Sequence, residues 1–328
     1  MKKAGIISLA SYAPEKVMTN FDLEKMVETS DEWIVTRTGI KQRHIVAEDQ
    51  ATSDISTIAA KEALKKAGLE ASDIDCFILA TATPDMLFPS TGCLVTAKLG
   101  FTGVDSPPAY DIAAGCTGFV YGLAQAKAYV ESGLYKRVMV IGAESLSRIL
   151  DWTDRNTCVL FGDGAGAAIV SEAEGSGILG CELGSWGAGG MHLTLPAGGS
   201  LNPASQETID KRMHYVHMDG NDVFKFAVRA MGIGCKKILD KTGLTADDID
   251  WFVPHQANIR IIDSAAKRLG IGMERVLVSL DELGNTSAAS IPMTIDKAQQ
   301  KGKIKKGDKL LMVAFGAGLT WGASIIEW

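Results

Sequence analysis

Residues 66–77 read KAGLEASDIDCF, and residues 241–252 read KTGLTADDIDWF. The identities fall without a gap at Lys66/Lys241, Gly68/Gly243, Leu69/Leu244, Ala71/Ala246, Asp73/Asp248, Ile74/Ile249, Asp75/Asp250 and Phe77/Phe252. The offset far exceeds the period of about 20–50 residues that marks solenoids, so the chain is a duplicated unit and not an array. Each copy has the same grammar. An amphipathic helix, Ile55 to Lys66 or Phe224 to Lys241, runs to a glycine suited to a C-cap. An acidic loop follows, then an apolar run that predicts a buried strand, Cys76 to Ala80 or Trp251 to Val253. The N-terminal run predicts a first strand. Further strands are predicted at Arg137–Ile141, Ala167–Val170, Arg275–Ser279, Lys309–Ala314 and Ser324–Ile326. Strands alternating with helices predict an α/β protein with mostly parallel sheets covered by helices. The division falls at 1–175 and 176–328, and the Gly/Pro-rich stretch 184–203 predicts a loop excursion.

A length of 328 residues suits such a pair of units at about 150 residues per domain. Hydrophobic residues at 46% and charged residues at 22% suit a full-sized core. A net charge of −6 disfavours nucleic acid as a partner of the whole surface. No window approaches 18 uninterrupted apolar residues, so no membrane span is expected. The N-terminus lacks the long apolar region of a signal peptide. Cysteines stand at 76, 93, 116, 158, 181 and 235, never as CxxC, and histidines number 5. That spacing predicts reduced thiols in a cytosolic protein and no metal site.

A pseudo-twofold would bring equivalent loops of the two copies together. In copy one, Ala109 to Gly115 predicts a strand running into a small-residue turn, and Phe119 to Val130 has helical periodicity. Cys116 therefore sits where a strand hands over to a helix. A helix N-terminus is expected to favour a thiolate there, as in a nucleophile elbow with sulfur in place of oxygen. Free cysteines are more often buried core residues, and the other five keep that reading. In copy two, the strand ending at Val253 leads to Pro254-His255-Gln256-Ala257-Asn258. His255 lies at a strand C-terminal end, where open α/β sheets bind ligands. Leu283 to Ser290 maps onto the copy-one nucleophile turn by the repeat offset. Asn285 is thus a candidate to face Cys116, although such an asparagine alone reads as a cap.

Cys116, His255 and Asn285, in that order, resemble the catalytic triad of the β-ketoacyl-[acyl-carrier-protein] synthase III family of the thiolase superfamily. The resemblance spans the chain. It includes Thr29 to Ile34 with Arg37 to Ile40, Asp111 to Gly118, Phe161 to Ala167, Met218 to Asn221, Pro254 to Asn258, Gly284 to Ser290 and Phe315 to Gly322. It implies a thiolase-like fold of two pseudo-twofold-related halves in an α-β-α-β-α arrangement. It implies a ping-pong Claisen condensation. Cys116 takes an acyl group from a short acyl-coenzyme A, which is substrate and not a resident cofactor. Malonyl-acyl carrier protein then binds, and His255 and Asn285 stabilise its enolate. The family's coenzyme A contacts map to Trp33, Arg37, Arg155, Gly220, Asn221, Phe224, Ala257 and Asn258. Phe88 would cross a homodimer interface to limit the partner's acyl pocket, Phe315 would pack beside the cysteine, and the Cys116 and Gly316-Ala317-Gly318 amides would form an oxyanion hole.

The segment Ile259 to Leu269 predicts a helix with Arg260, Lys267 and Arg268 on one face. Such a charge set is usually a solvated surface. With Lys225 and Lys236 it suits the acidic surface of acyl carrier protein. A Cys-His-Asn order also describes papain-like proteases, but the duplicated α/β pattern argues against one. Thiolases need a second cysteine where Phe315-Gly316-Ala317-Gly318 stands, and elongating synthases a second histidine where Asn285 stands. A related acyltransferase of secondary metabolism would share the same triad, whereas a non-catalytic scaffold would have no need of it. The starter acyl group is not legible.

Overall fold

The computed structural model describes residues 3–175 and 177–328. The two copies of the repeat make the same contacts in it. Helix Thr52–Ala67 ends at Gly68 and helix Gly220–Thr242 at Gly243, with φ of 65° and 71°, where only glycine is unstrained. The Asp75 N–H donates to the Arg137 carbonyl (2.9 Å), and that of Asp250 to the Lys309 carbonyl (3.0 Å). The Asp75 carboxylate accepts from the Arg137 N–H at 2.9 Å, and that of Asp250 from the Lys309 N–H at 2.7 Å. Each repeated aspartate thus fixes one strand in register against its neighbour.

In copy one the sheet order is Ala109–Ile112, Cys76–Ala80, Arg137–Glu144, Gly164–Glu172, Ala4–Tyr12. In copy two it is Trp251–Pro254, Lys309–Gly316, Thr320–Glu327, Gly177–Ser185. From the strand that begins at Cys76 or Trp251, both run parallel, antiparallel, antiparallel. The predicted predominance of parallel pairing is therefore corrected. Lys309–Gly316 returns to Thr320–Glu327 through a short turn, and only an antiparallel pair can be joined so tightly.

Helix Thr52–Ala67 covers the outer face of the first sheet through Ile55, Ala59 and Ala63, which pack with Phe77, Leu79 and Ile141. Helices Gly220–Thr242 and Ile259–Leu269 cover the outer face of the second, where Met231, Ile238 and Ile262 meet Leu311, Val313 and Ile325. Between the sheets lie helices Gly118–Ser132 and Ser290–Gln300. Phe119, Leu123, Ile291 and Ile295 share one core there with Val138 and Val140 of the first sheet and Leu310 and Met312 of the second. The layers are thus α-β-α-β-α.

The strand predicted at Arg275–Ser279 is also corrected. Only an isolated bridge, Phe252 to Val276, forms there. The buried Gln256 side chain takes the backbone groups a strand would have used. Its amide donates to the Leu277 carbonyl (3.2 Å) and accepts from the Ser279 (2.9 Å) and Leu280 (3.2 Å) N–H groups.

Candidate active site

Cys116 occupies a 3-10 turn, Gly115–Thr117, between strand Ala109–Ile112 and helix Gly118–Ser132. Copy two builds the same corner, with a 3-10 turn Ser287–Ala289 leading into helix Ser290–Gln300. The two corners pack against each other. Behind Cys116 lies Gly316, where a Cβ would stand 2.5 Å from the Cys116 nitrogen, so only glycine fits. Ala317 does not line the cavity. Its backbone nitrogen lies 2.9 Å from where a Cβ on Gly115 would stand, which puts the 316–318 turn directly against the cysteine corner.

A cavity of about 380 Å³ opens at this corner, and Cys116, His255 and Asn285 all line it. His255 follows strand Trp251–Pro254 and is held by its N–H on the Val313 carbonyl at 2.8 Å. Its ring is 1% exposed, with Nδ1 2.7 Å from the Ser290 hydroxyl and the Phe315 ring edge-on at 5.4 Å. Nε2 has no protein partner among the described residues. Burial pulls the imidazole down to about 3, so it is neutral at physiological pH. A proton on Nε2 then requires Nδ1 to accept from Ser290.

Asn285 is pinned across the two halves. Its N–H donates to the Leu160 carbonyl (2.9 Å), and its carbonyl accepts from the Gly162 N–H (3.0 Å). The Ser287 N–H donates to its Oδ1 at 2.9 Å. That donor fixes the amide orientation and leaves Nδ2 as the group available to the cavity. The surroundings of Cys116 do not give it the lowered pKa expected from the sequence. Burial pushes the thiol up to about 12, outweighing the Ser287 hydroxyl and the cysteine's own amide, which act downward.

The cavity is also lined by Arg37, Gly220, Asn221, Phe224, Lys225, Ala257, Asn258, Arg260 and Phe315. Asn258 doubles as a structural tie, because its Nδ2 donates to the Arg37 carbonyl (3.0 Å) and its Oδ1 caps helix Ile259–Leu269. Trp33 stands outside the lining. The guanidinium groups of Arg37 and Arg155 each lie 4.9 Å from its ring centroid, and Arg155 also donates to the Glu28 carbonyl. Phe88 is 84% exposed and does not line this chain's cavity. Of the basic set, Lys225 pairs with Asp222, Lys236 with Asp240 and Lys267 with Asp263, each on its own helix. Arg260 lies over Phe224 at the cavity mouth, and Arg268 sits in a neighbouring groove beside Arg229 and Lys236. A second cavity of about 420 Å³, against Trp186, Phe226 and Trp321, contains none of the three triad residues.

Sequence reasoning passed over Ser290, Gln256, Ser287 and Glu144. The one signal available was Glu144 itself, an acid at the end of the otherwise apolar run Val138 to Ala143.

Two family models match the chain, 3-oxoacyl-[acyl-carrier-protein (ACP)] synthase III over residues 110–187 and its C-terminal part over residues 239–328. β-Ketoacyl-[acyl-carrier-protein] synthase III of Caldanaerobacter subterraneus subsp. tengcongensis is 57% identical over 99% of this chain and 98% of its own length. The protein of that name from Desulfitobacterium hafniense DCB-2 is 53% identical over 100% of this chain and 98% of its own length. The crystal structure of 3-oxoacyl-[acyl-carrier-protein] synthase III from Aquifex aeolicus superposes with a TM-score of 0.91 at 46% identity, covering 99% of this chain and 100% of that one.

Proposed function

The chain belongs to the β-ketoacyl-[acyl-carrier-protein] synthase III family, and from that premise we propose that Cys116, His255 and Asn285 carry the family's reaction. The enzyme is an acyltransferase that initiates fatty acid biosynthesis. It condenses a short acyl-coenzyme A with malonyl-acyl carrier protein to give 3-ketoacyl-acyl carrier protein, coenzyme A and carbon dioxide.

Cys116 Sγ attacks the acyl thioester and expels coenzyme A, an exchange between two thioesters that needs no strong driving force. Malonyl thioester then enters the same cavity. Loss of carbon dioxide moves charge onto its thioester oxygen, where His255 Nε2–H and Asn285 Nδ2–H stand as donors. Fixed donors of this kind contribute about 3–4 kcal/mol each. The resulting carbanion attacks the acyl-cysteine carbonyl. A neutral His255 acts here as a hydrogen-bond donor and not as a general acid. The observation that carries the assignment is one cavity lined by the thiol, by Asn285 and by a buried His255 whose Nε2 has no partner among the described residues.

The mapped residues support a coenzyme A path along Arg37, Gly220, Asn221, Phe224, Ala257 and Asn258. Adenine would take the face of Trp33 by displacing one of the two guanidinium groups on it. Acyl carrier protein would dock on the Arg260 and Arg268 side, with Lys225 and Lys267 already balanced by carboxylates. We assign the cytoplasm as the compartment, and among the described residues no helix is long and apolar enough to cross a membrane. A homodimer fits the exposed Phe88 and the sheet-edge strand Ala109–Ile112. The halves 1–175 and 176–328 act as one unit, because each supplies part of the site.

The test is intact-protein and peptide mass spectrometry after incubation with a panel of acyl-coenzyme A starters, with Cys116→Ser alongside. An adduct on Cys116, absent in the variant and discharged by malonyl-acyl carrier protein, is expected. A folded sample that takes no acyl group on Cys116 would remove the assignment.

A further inference from the structure

Arg43 stands in strand Gln42–Ile45 and is 0% exposed. Among the described residues no carboxylate pairs with it. Burying a charge without a counter-charge is costly, so what its donors hold matters. Burial pulls the guanidinium down to about 10, and it keeps its proton at physiological pH. One arm, Nη1, donates to Asn20 Oδ1 at 2.9 Å, and the other, Nη2, to the Val159 carbonyl at 2.7 Å. Asn20 is itself fixed, because its Nδ2 donates to the Asp31 carboxylate and to the Ile40 carbonyl, both at 2.8 Å. Residues 159–163 are gripped at both ends by the strand that carries Arg43, since the Asp163 N–H donates to the His44 carbonyl at 2.8 Å. Between the two grips stand the Leu160 carbonyl and the Gly162 N–H that pin the Asn285 backbone. The stem of Arg43 fills the space beside them. A Cβ on Gly162 would stand 3.0 Å from the Arg43 Cβ, and one on Gly284 3.1 Å from it. The far side of the Asn285 turn is held separately, by the Ser287 hydroxyl donating to the buried Glu144 carboxylate at 2.8 Å.

We propose that Arg43 is the positioning residue of Asn285, setting through residues 159–163 where the Asn285 amide stands in the cavity. Arg43 lines no part of that cavity, whereas Leu160, Phe161 and Asn285 do. It therefore does not meet substrate bound there, and it acts on the chemistry only through the backbone it holds. The inference rests on the assignment of Asn285 as a donor to the malonyl thioester oxygen. That donor serves the second half-reaction, because charge reaches the oxygen only as carbon dioxide leaves. A displacement of about 1 Å in such a donor is enough to lose much of its effect. Lysine cannot replace Arg43 here. An ammonium on a flexible stem does not present two fixed arms to two acceptors, as the planar fork does.

The experiment measures the two half-reactions separately in Arg43→Lys, Asn285→Ala and the double variant. Decarboxylation of malonyl-acyl carrier protein by Arg43→Lys is expected to fall about 10–100-fold, with kcat carrying the loss and KM within about twofold. Release of coenzyme A from an acyl-coenzyme A in a single turnover should stay within about twofold, because the malonyl oxygen takes no part in that step. Adding Arg43→Lys to Asn285→Ala should cost no more than about a further twofold, since residues that act as one unit are not additive. Asn20→Ala, which frees one arm of the guanidinium and leaves the bond to Val159, should show the same split at smaller size, and it serves as the test if Arg43→Lys does not fold. Equal loss of both half-reactions, or a loss that multiplies with that of Asn285→Ala, overturns the positioning role. Decarboxylation unchanged in Asn285→Ala overturns the assignment of Asn285 and the inference with it, whereas a loss in Asn285→Ala with wild-type decarboxylation in folded Arg43→Lys overturns the inference alone.

Discussion

Burial acts in opposite senses on His255 and Glu144. The imidazole falls from 6.5 to about 3, and the carboxyl rises from 4.5 to about 7. Between about 3 and 6.5 the unfolded chain holds more protons on the histidine than the folded one, so this residue makes stability fall as pH falls. Between 4.5 and about 7 the folded chain holds more protons on the glutamate, so that residue makes stability fall as pH rises. The slopes offset each other in the shared window and the histidine slope stands alone beneath it. Urea unfolding of wild type and His255→Asn from pH 7 to pH 4 should show the variant losing less stability on acidification. An unchanged difference across that range would mean that His255 is not held neutral. The positions of Cys116 and His255 were legible because each stands where a strand hands over to a helix, whereas Asn285 follows helix Leu280–Leu283 and was reached through the repeat. Ser287, Ser290 and Glu144 act through contacts between segments far apart in sequence, and no local pattern marks such contacts.

The repeated helix, acidic turn and strand were legible as elements because one segment occurs twice. The strand at 275–279 was misread for a reason that lies outside its own residues. Its apolar pattern suits a strand, but Gln256 reaches across and satisfies its backbone. Gln256→Leu should therefore leave buried N–H and carbonyl groups without partners, at about 1–3 kcal/mol for each. A net loss of several kcal/mol in chemical denaturation is expected, with reduced turnover from the adjacent His255. The basic face of helix Ile259–Leu269 divides in the same contextual way. Arg260 lines the same cavity as Cys116, so on the proposed coenzyme A path its reversal would disturb both substrates. Arg268 lies off that path, so Arg268→Glu should raise KM for malonyl-acyl carrier protein several-fold and leave coenzyme A release unchanged. Equal kinetics in both steps would remove this helix from the docking surface.

At the scale of the molecule, the copies share a strand order but not a set of functional groups. The 3-10 turn that carries Cys116 in one half carries Ala288 in the other, beside the segment that presents Asn285. Phe88 is exposed and lines no part of its own chain's cavity, so the limit on acyl length proposed for it would need a second copy of the chain. Sedimentation should give a species of twice the chain mass, and Phe88→Ala should load longer acyl groups on Cys116 than wild type. A monomer with an unchanged starter profile would refute that role. The helices sandwiched between the sheets have a further consequence for anyone wishing to cut the gene. Separated at the join of the halves, near 175, each fragment would bare the apolar side of its own central helix. Neither fragment would own a working site. Co-expressed, the two would regain acyl loading only on meeting, and labelling of Cys116 would become a chemical reporter of fragment complementation.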